Sequence, residues 1–225
     1  MEVIVHDRPE DVADAASRRV AGLIAGSHYR FSLGLAGGST PEATYKELRG
    51  LGADWDRVVA WLSDERWVPP DHERSNGRMA ASALLDHVDA VFHRPRWSDL
   101  LEPSDSAAYY DATLRSIHGA GPPDVVLLGV GEDGHTASLF PGTEALNVTG
   151  RWFVANHVPS LEEDRLTATY ELLSRARLLM VLAVGQTKAA AVKASFEGIT
   201  PAGRLDEGEG EVEWHLDRDA ASLLV

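Results

Sequence analysis

Val125-Val126-Leu127-Leu128-Gly129-Val130-Gly131-Glu132-Asp133-Gly134-His135-Thr136 is a nearly unbroken apolar run that passes into glycines and then into polar, titratable residues. Apolar sequence without alternation is what a strand buried on both faces requires, and such strands belong to parallel sheets covered by helices. Working outward, residues 3–6, 31–35, 58–62, 152–155, 178–184 and 212–216 repeat the short apolar pattern and are predicted strands. Helical spacing is predicted between them at residues 8–25, 41–51, 75–88, 104–118, 168–174, 187–196 and 217–223. Strands alternating with helices predict an α/β fold with a mostly parallel sheet and helices on both faces. In such folds ligands bind beyond the carboxyl ends of the strands. Each glycine-rich turn that follows a strand is therefore a candidate wall of the site.

Composition narrows the function classes. The chain has 225 residues and no cysteine, which excludes a disulfide framework, a thiolate nucleophile and cysteine-based metal clusters. The absence of cysteine suits a reducing compartment. Met1-Glu2-Val3-Ile4-Val5-His6-Asp7 lacks the basic and long apolar regions of a signal peptide, so a cytoplasmic location is expected. No stretch approaches the roughly 20 apolar residues of a membrane span. The formal net charge is −14, which repels nucleic acid and anionic membranes. Neither is an expected partner. Only three lysines occur, Lys46, Lys188 and Lys193. An anionic substrate would need cations gathered locally against an unfavourable global field.

Five segments carry candidate chemistry. In Leu35-Ala36-Gly37-Gly38-Ser39-Thr40-Pro41 a strand ends in glycines that open the backbone, a hydroxyl residue can cap the next helix, and proline suits its first turn. Free amides at a helix N-terminus make an anion site, with Gly37, Gly38, Ser39 and Thr40 as its candidates. A plain, well-capped turn would look the same. Ser63-Asp64-Glu65-Arg66-Trp67-Val68-Pro69, followed by Ser75-Asn76, ends another strand in a charged triplet. Arg66 can donate to an anion or a polarised carbonyl. Asp64 and Glu65 can orient it or cap the following turn, and Asn76 can cap a helix. Asp133 and His135, two apart in a glycine turn, can form a carboxylate–imidazole pair in which the imidazole takes a proton from water. Arg165 and Lys188 complete the set. Lys188 lies just past a strand end, at the start of a helix, where a cation opposes the helix dipole unless an anion is present. The other histidines show no metal-ligand spacing, so no metal is expected. The acidic stretch at residues 205–211 is not spaced as a calcium loop and reads as solvated.

In their order and identity these segments resemble the 6-phosphogluconolactonase family, within the larger group that includes glucosamine-6-phosphate deaminases. The matches are LAGGSTP at residues 35–41, SDERWVP at 63–69 with SN at 75–76, LGVGEDGHTASLFPG at 128–142, RLT at 165–167 and GQTKA at 185–189. The 128–142 block is the specific one. Gly77 departs from the family, where a bulkier residue usually follows Ser-Asn. The resemblance covers most of the chain. It implies a Rossmann-like sheet in one domain over residues 1–225, and a carboxylic ester hydrolase of the oxidative pentose phosphate pathway. It further implies 6-phospho-D-glucono-1,5-lactone as substrate, a catalytic set of His135, Asp133 and Arg66, no cofactor, and a monomer or homodimer. Gly37, Gly38, Ser39, Thr40, Asp64, Asn76, Arg165 and Lys188 are then its substrate- and phosphate-binding set. A deaminase and a non-catalytic sugar-phosphate sensor on the same fold are the competing expectations. No basic helix-turn-helix leads the chain, as DNA-binding sensors need.

Overall fold

The computed structural model describes residues 1–224. Its strands are β1 (Glu2–His6), β2 (Phe31–Leu35), β3 (Val58–Leu62), β4 (Asp64–Arg66), β5 (Val91–His93), β6 (Val125–Gly129), β7 (Phe153–Val158), β8 (Glu163–Ala168), β9 (Leu178–Ala183) and β10 (Glu211–Asp217). Its α-helices are α1 (Pro9–Gly26), α2 (Ser39–Leu48), α3 (Asn76–Ala83), α4 (Pro103–His118), α5 (Tyr170–Leu173) and α6 (Ala189–Phe196). Seven strands form one parallel sheet in the order β1-β10-β9-β6-β2-β3-β5, and β4, β8 and β7 form a second, antiparallel sheet.

Residues 125–128 behave as the sequence requires. Val125 and Leu127 pack with Val12 and Val20 of α1 and Tyr45 and Leu48 of α2 on one face. Val126 and Leu128 pack with Tyr110 and Leu114 of α4 and Val192 of α6 on the other. Leu127 and Leu128 are fully buried, and each contributes about 1.5–3 kcal/mol of hydrophobic stabilisation. Local signals agree with this packing. Pro9 starts α1, with Glu10 and Asp11 in its first turn, where proline and acidic residues are favoured.

The winding positions the site. From β2 the chain proceeds outward to β3 and β5, and from the neighbouring β6 it proceeds the opposite way to β9 and β10. The β2–β6 junction is thus the switch point of the sheet, where the loops leave in opposite directions and a crevice opens.

Several elements differ from expectation. Strands β4, β5 and β8 are absent from the sequence reading, because β4 and β5 have only three residues each and half of β8 is charged. Ala168 ends β8, so the helix predicted at 168–174 shrinks to α5. The helix predicted at 217–223 does not form. Strand β10 runs on to Asp217, whose carboxylate accepts from the amides of Gly185 (3.0 Å) and Ala220 (2.8 Å) and turns the chain there. The helix predicted at 75–88 ends at Ala83, since Leu84 is at φ −136° and a 3-10 turn, Leu85–His87, follows. Part of the stretch expected to be a solvated loop at 205–211 is instead a 3-10 helix, Pro201–Glu207.

One buried titratable group gives the fold a pH dependence. At the end of α4 the His118 ring lies edge-on to Trp61 and Trp152, at centroid distances of 5.6 and 6.1 Å, and its Nε2 has no partner. Burial, reinforced by Arg175 and Arg30, lowers its pKa to about 4. The unfolded chain binds the same proton near the ordinary value of about 6.5, so stability contributed by neutral His118 is complete above that pH and is lost as pH falls toward 4. Urea midpoints compared at about pH 7.5 and about pH 5 should drop on acidification, and His118→Gln should remove on the order of 1 kcal/mol of that drop, the partial exposure of the ring having reduced the effect.

Candidate active site

Strand β2 leads through Ala36, Gly37 and Gly38 into α2. Gly38 precedes the helix with φ +109°, a backbone that side chains disfavour. Ser39 and Thr40 are therefore the first two residues of α2 rather than its caps, and no side chain caps the helix. Amides in the first turn have no intrahelical acceptor and make an anion cradle. A β-carbon at Gly37 would overlap the side-chain amide of Asn76, so the loop can approach α3 only as glycine.

The charged triplet forms β4. Glu65, buried, accepts from the amides of Arg66 (2.8 Å), Asn76 (2.7 Å) and Gly77 (2.8 Å) and from the Ser75 hydroxyl (3.0 Å). It thereby caps α3 from outside. Burial pushes its carboxyl pKa up, against the pull of these bonds. Asp64 accepts from Ser138 Oγ (2.8 Å) and from Asn76 Nδ2 (3.2 Å). Asn76 is thus the first residue of α3, with Ser75 as the cap. Neither carboxylate of the triplet bonds the Arg66 guanidinium, which donates instead to the carbonyl of Arg74 (2.7 Å).

Arg66 stands directly opposite Arg165 across β4 and β8. Like charges in that position repel. Arg165 is 8% exposed, and its guanidinium donates to Glu163 Oε2 at 2.7 Å. Burial first, and Arg66 next, lower its pKa from the usual guanidinium range, opposed by Glu163 and Asp64. The Nε atoms of both arginines are buried without a partner. Buried N–H groups demand acceptors, and a bound anion answers both the repulsion and the missing bonds.

Beyond β6 the loop closes on itself, Gly131 N donating to His135 O at 2.8 Å. Asp133 Oδ1 accepts from the His135 amide (3.1 Å) and lies 2.5 Å from Nδ1. A carboxylate only accepts, so Nδ1 carries the hydrogen and Nε2 is left to accept. The imidazole stacks on Phe140 at 4.0 Å and an interplanar angle of 25°. A β-carbon at Gly131 would overlap both the imidazole and the Asp133 carboxylate. After β9, Lys188 ends the 3-10 turn Gln186–Lys188 and immediately precedes α6.

These pieces meet at the carboxyl ends of β2, β3, β6 and β9. Gly37, Gly38, Ser39, Thr40, Asp64, Arg66, Asn76, His135, Arg165 and Lys188 line one cleft of about 240 Å³. Asp133 stands behind the imidazole and does not line it. Phe140 lies between His135 and Arg165: the imidazole stacks on its ring, and Arg165 Cζ is 5.9 Å from the same centroid. Sequence reading missed Glu163, which ties Arg165 to Arg74 (2.5 Å), as well as Phe140 and Ser138. The last two lie inside the quoted 128–142 block but carry no spacing signal of their own. Among the described residues no group of three histidine, aspartate or glutamate side chains could hold a metal ion, and no helix is long and apolar enough to cross a membrane.

Comparison with known proteins gives the family. Residues 7–214 match the family model described as glucosamine-6-phosphate isomerases/6-phosphogluconolactonase. The 6-phosphogluconolactonase of Nostoc sp. is 35% identical over 206 residues, covering 87% of this chain and 85% of that protein. The structure of the Trypanosoma brucei 6-phosphogluconolactonase superposes with a TM-score of 0.88 at 30% identity, over 100% of this chain and 98% of that one. A monomeric glucosamine-6-phosphate deaminase superposes with 0.84 at 26% identity, over 99% and 100%. The chain belongs to the glucosamine-6-phosphate isomerase/6-phosphogluconolactonase family.

Proposed function

We propose that the chain hydrolyses 6-phospho-D-glucono-1,5-lactone to 6-phospho-D-gluconate in the oxidative branch of the pentose phosphate pathway, in the cytoplasm, with His135 activating the attacking water. The observation that carries this reading is that the Asp133-oriented imidazole shares one cleft with Arg66, Arg165, Lys188 and the first amides of α2. Those relatives that bear the name 6-phosphogluconolactonase support the reaction class.

Each group then has one task. The amides at Gly37, Gly38, Ser39 and Thr40, with Arg165 and Lys188, hold the phosphate. Lys188 precedes a helix start, where a cation is unfavourable until an anion neutralises it. Asp64 and Asn76 face the sugar between the two ends. Arg66 stabilises the oxyanion that develops as water adds to the lactone carbonyl. Nε2 of His135 takes the proton from that water, and the imidazolium, stabilised by Asp133, returns it to the ring oxygen as the C–O bond breaks. A lactone is an activated ester, so this reaction needs no covalent intermediate.

His135→Ala should lower kcat roughly 10²–10⁴-fold, the usual contribution of positioned proton transfer, with little change in KM. The measurement is hydrolysis of freshly generated lactone, corrected for spontaneous opening and run with and without chelator. Full turnover by this variant would show that His135 is not the base. Lys188→Ala should act in the opposite sense, raising KM roughly 10–100-fold by loss of a charge-assisted bond and leaving kcat nearer to wild type. In parallel, ammonia release from glucosamine 6-phosphate should stay at background; release at the lactonase rate would favour the deaminase reading instead.

A further inference from the structure

We infer that Ser138 is a positioning residue for the reaction proposed above: its three polar groups, each bonded to a different strand of the small sheet, set the distance between His135 and the arginine pair. The inference rests on the functional reading of the cleft, and its test separates the two.

The loop that carries His135 is tied back to the end of β6 on its upstream side. Gly131 N donates to His135 O, and Thr136 Oγ1 donates to Gly129 O at 2.9 Å. Neither bond relates the imidazole to Arg66 or Arg165, which belong to the other sheet. Ser138 makes that connection through hydrogen bonds, beside the Phe140 ring that His135 and Arg165 share. Its hydroxyl donates to Asp64 Oδ2 on β4 (2.8 Å). Its amide donates to Thr167 Oγ1 on β8 (3.1 Å). Its carbonyl accepts from Asn156 Nδ2 on β7 (2.8 Å). Ser138 and Thr167 are fully buried, Asp64 and Asn156 nearly so, and bonds in such surroundings are not exchanged readily for water.

Strand register gives the contact its meaning. Asp64 and Thr167 are a cross-strand pair, and the pair two residues along the same face is Arg66 and Arg165. Ser138 is thus docked on the rung next to the two guanidinium groups. His135 lies three residues upstream of it, and between them Ala137 has φ +48°, a backbone that a non-glycine residue holds only when its surroundings over-determine it. Asp64 also extends the link, since Asn76, its other partner, packs on Gly37 of the phosphate loop. One buried serine therefore relates the base, the arginine pair and, through Asp64, the anion cradle.

A displacement of the base by about 1 Å can reduce turnover on the order of 10²-fold without altering ground-state binding. The experiment compares wild type, Ser138→Ala and Ser138→Cys in lactone hydrolysis, and measures the affinity of each for 6-phosphogluconate by calorimetry. Ser138→Ala should lose about 10–100-fold in kcat while KM and product affinity stay within about threefold. Ser138→Cys keeps both backbone bonds and offers Asp64 a weaker donor on a somewhat larger atom, so it gives a second reading where the alanine variant fails to fold, and its kcat should fall between the other two. Wild-type kcat in both variants, or equal losses of kcat and product affinity, overturns the positioning role. A wild-type chain that binds 6-phosphogluconate yet leaves the lactone untouched overturns the functional reading, and this inference with it.

Discussion

Two guanidinium groups face each other across an antiparallel strand pair, each with an N–H that is buried and unpaired. This is the constraint around which the rest of the cleft is arranged. Across most strand pairs such an arrangement would be destabilising, since like charges directly opposite repel and buried donors without acceptors carry their full desolvation cost. Glu163 relieves part of the repulsion by bridging Arg165 and Arg74. It does so from one side only, leaving the two Nε–H groups unanswered. Arg66 is held at an outer nitrogen by the Arg74 carbonyl and Arg165 by the Glu163 carboxylate, while the two Nε–H groups keep no protein partner.

The division of labour between the two sheets follows from this. The parallel sheet supplies a crevice because β2 and β6 send their loops in opposite directions. It also supplies the groups that need a helix start or a tight glycine turn: the amides of α2, Lys188 and the Asp133–His135 pair. A parallel sheet has no natural place for two cross-strand cations at its carboxyl edge. The antiparallel β4-β8-β7 sheet provides it, and it branches from the main sheet through Ser63, whose amide bonds Leu35 O (2.8 Å) and whose carbonyl accepts from Ala168 N (2.7 Å). The cleft is therefore the seam between the two sheets.

What the sequence disclosed divides along the same seam. Residues 125–136 announced a doubly covered strand and the turn after it, because burial on both faces writes itself as an unbroken apolar run. The glycines at 37, 38 and 131 were legible as openings in the backbone. Lys188 was legible because its place at a helix start opposes the dipole. Strand β8, Glu163–Ala168, was not legible: half of it is charged, and its partners lie on β4, about 100 residues away, and on β7. The pairing of Arg66 with Arg165 was hidden for the same reason. The Asp64–Glu65–Arg66 triplet misled in a specific way. Adjacent residues on a strand point to opposite faces, so Glu65 turns to α3 while Asp64 and Arg66 share the other face. Alternation keeps Glu65 from the Arg66 guanidinium, and Asp64, although on the face of Arg66, bonds Ser138 and Asn76 instead. Ser138 gave no signal, since a buried serine whose three partners sit on three strands has no periodicity to read.

The global charge sharpens the problem that the cleft solves. A net charge of −14 produces a field that opposes an approaching sugar phosphate, yet exposed charges beyond about 8–10 Å are largely screened at physiological salt. Groups at the seam are screened less, since Arg165 is buried and Arg66 and Lys188 are half-buried. Arg66, Arg165 and Lys188 therefore need to outweigh only the carboxylates that share their low-dielectric surroundings. Among those lining the cleft that means Asp64, whose two oxygens are already committed to Ser138 and Asn76. The proposed anion site fits an acidic protein because its cations are buried or half-buried, while most of the acidic groups are exposed, where screening is strong. Adding surface lysines would change the global field and do little at the seam; moving a carboxylate into hydrogen-bonding reach of either buried Nε would occupy the site from within.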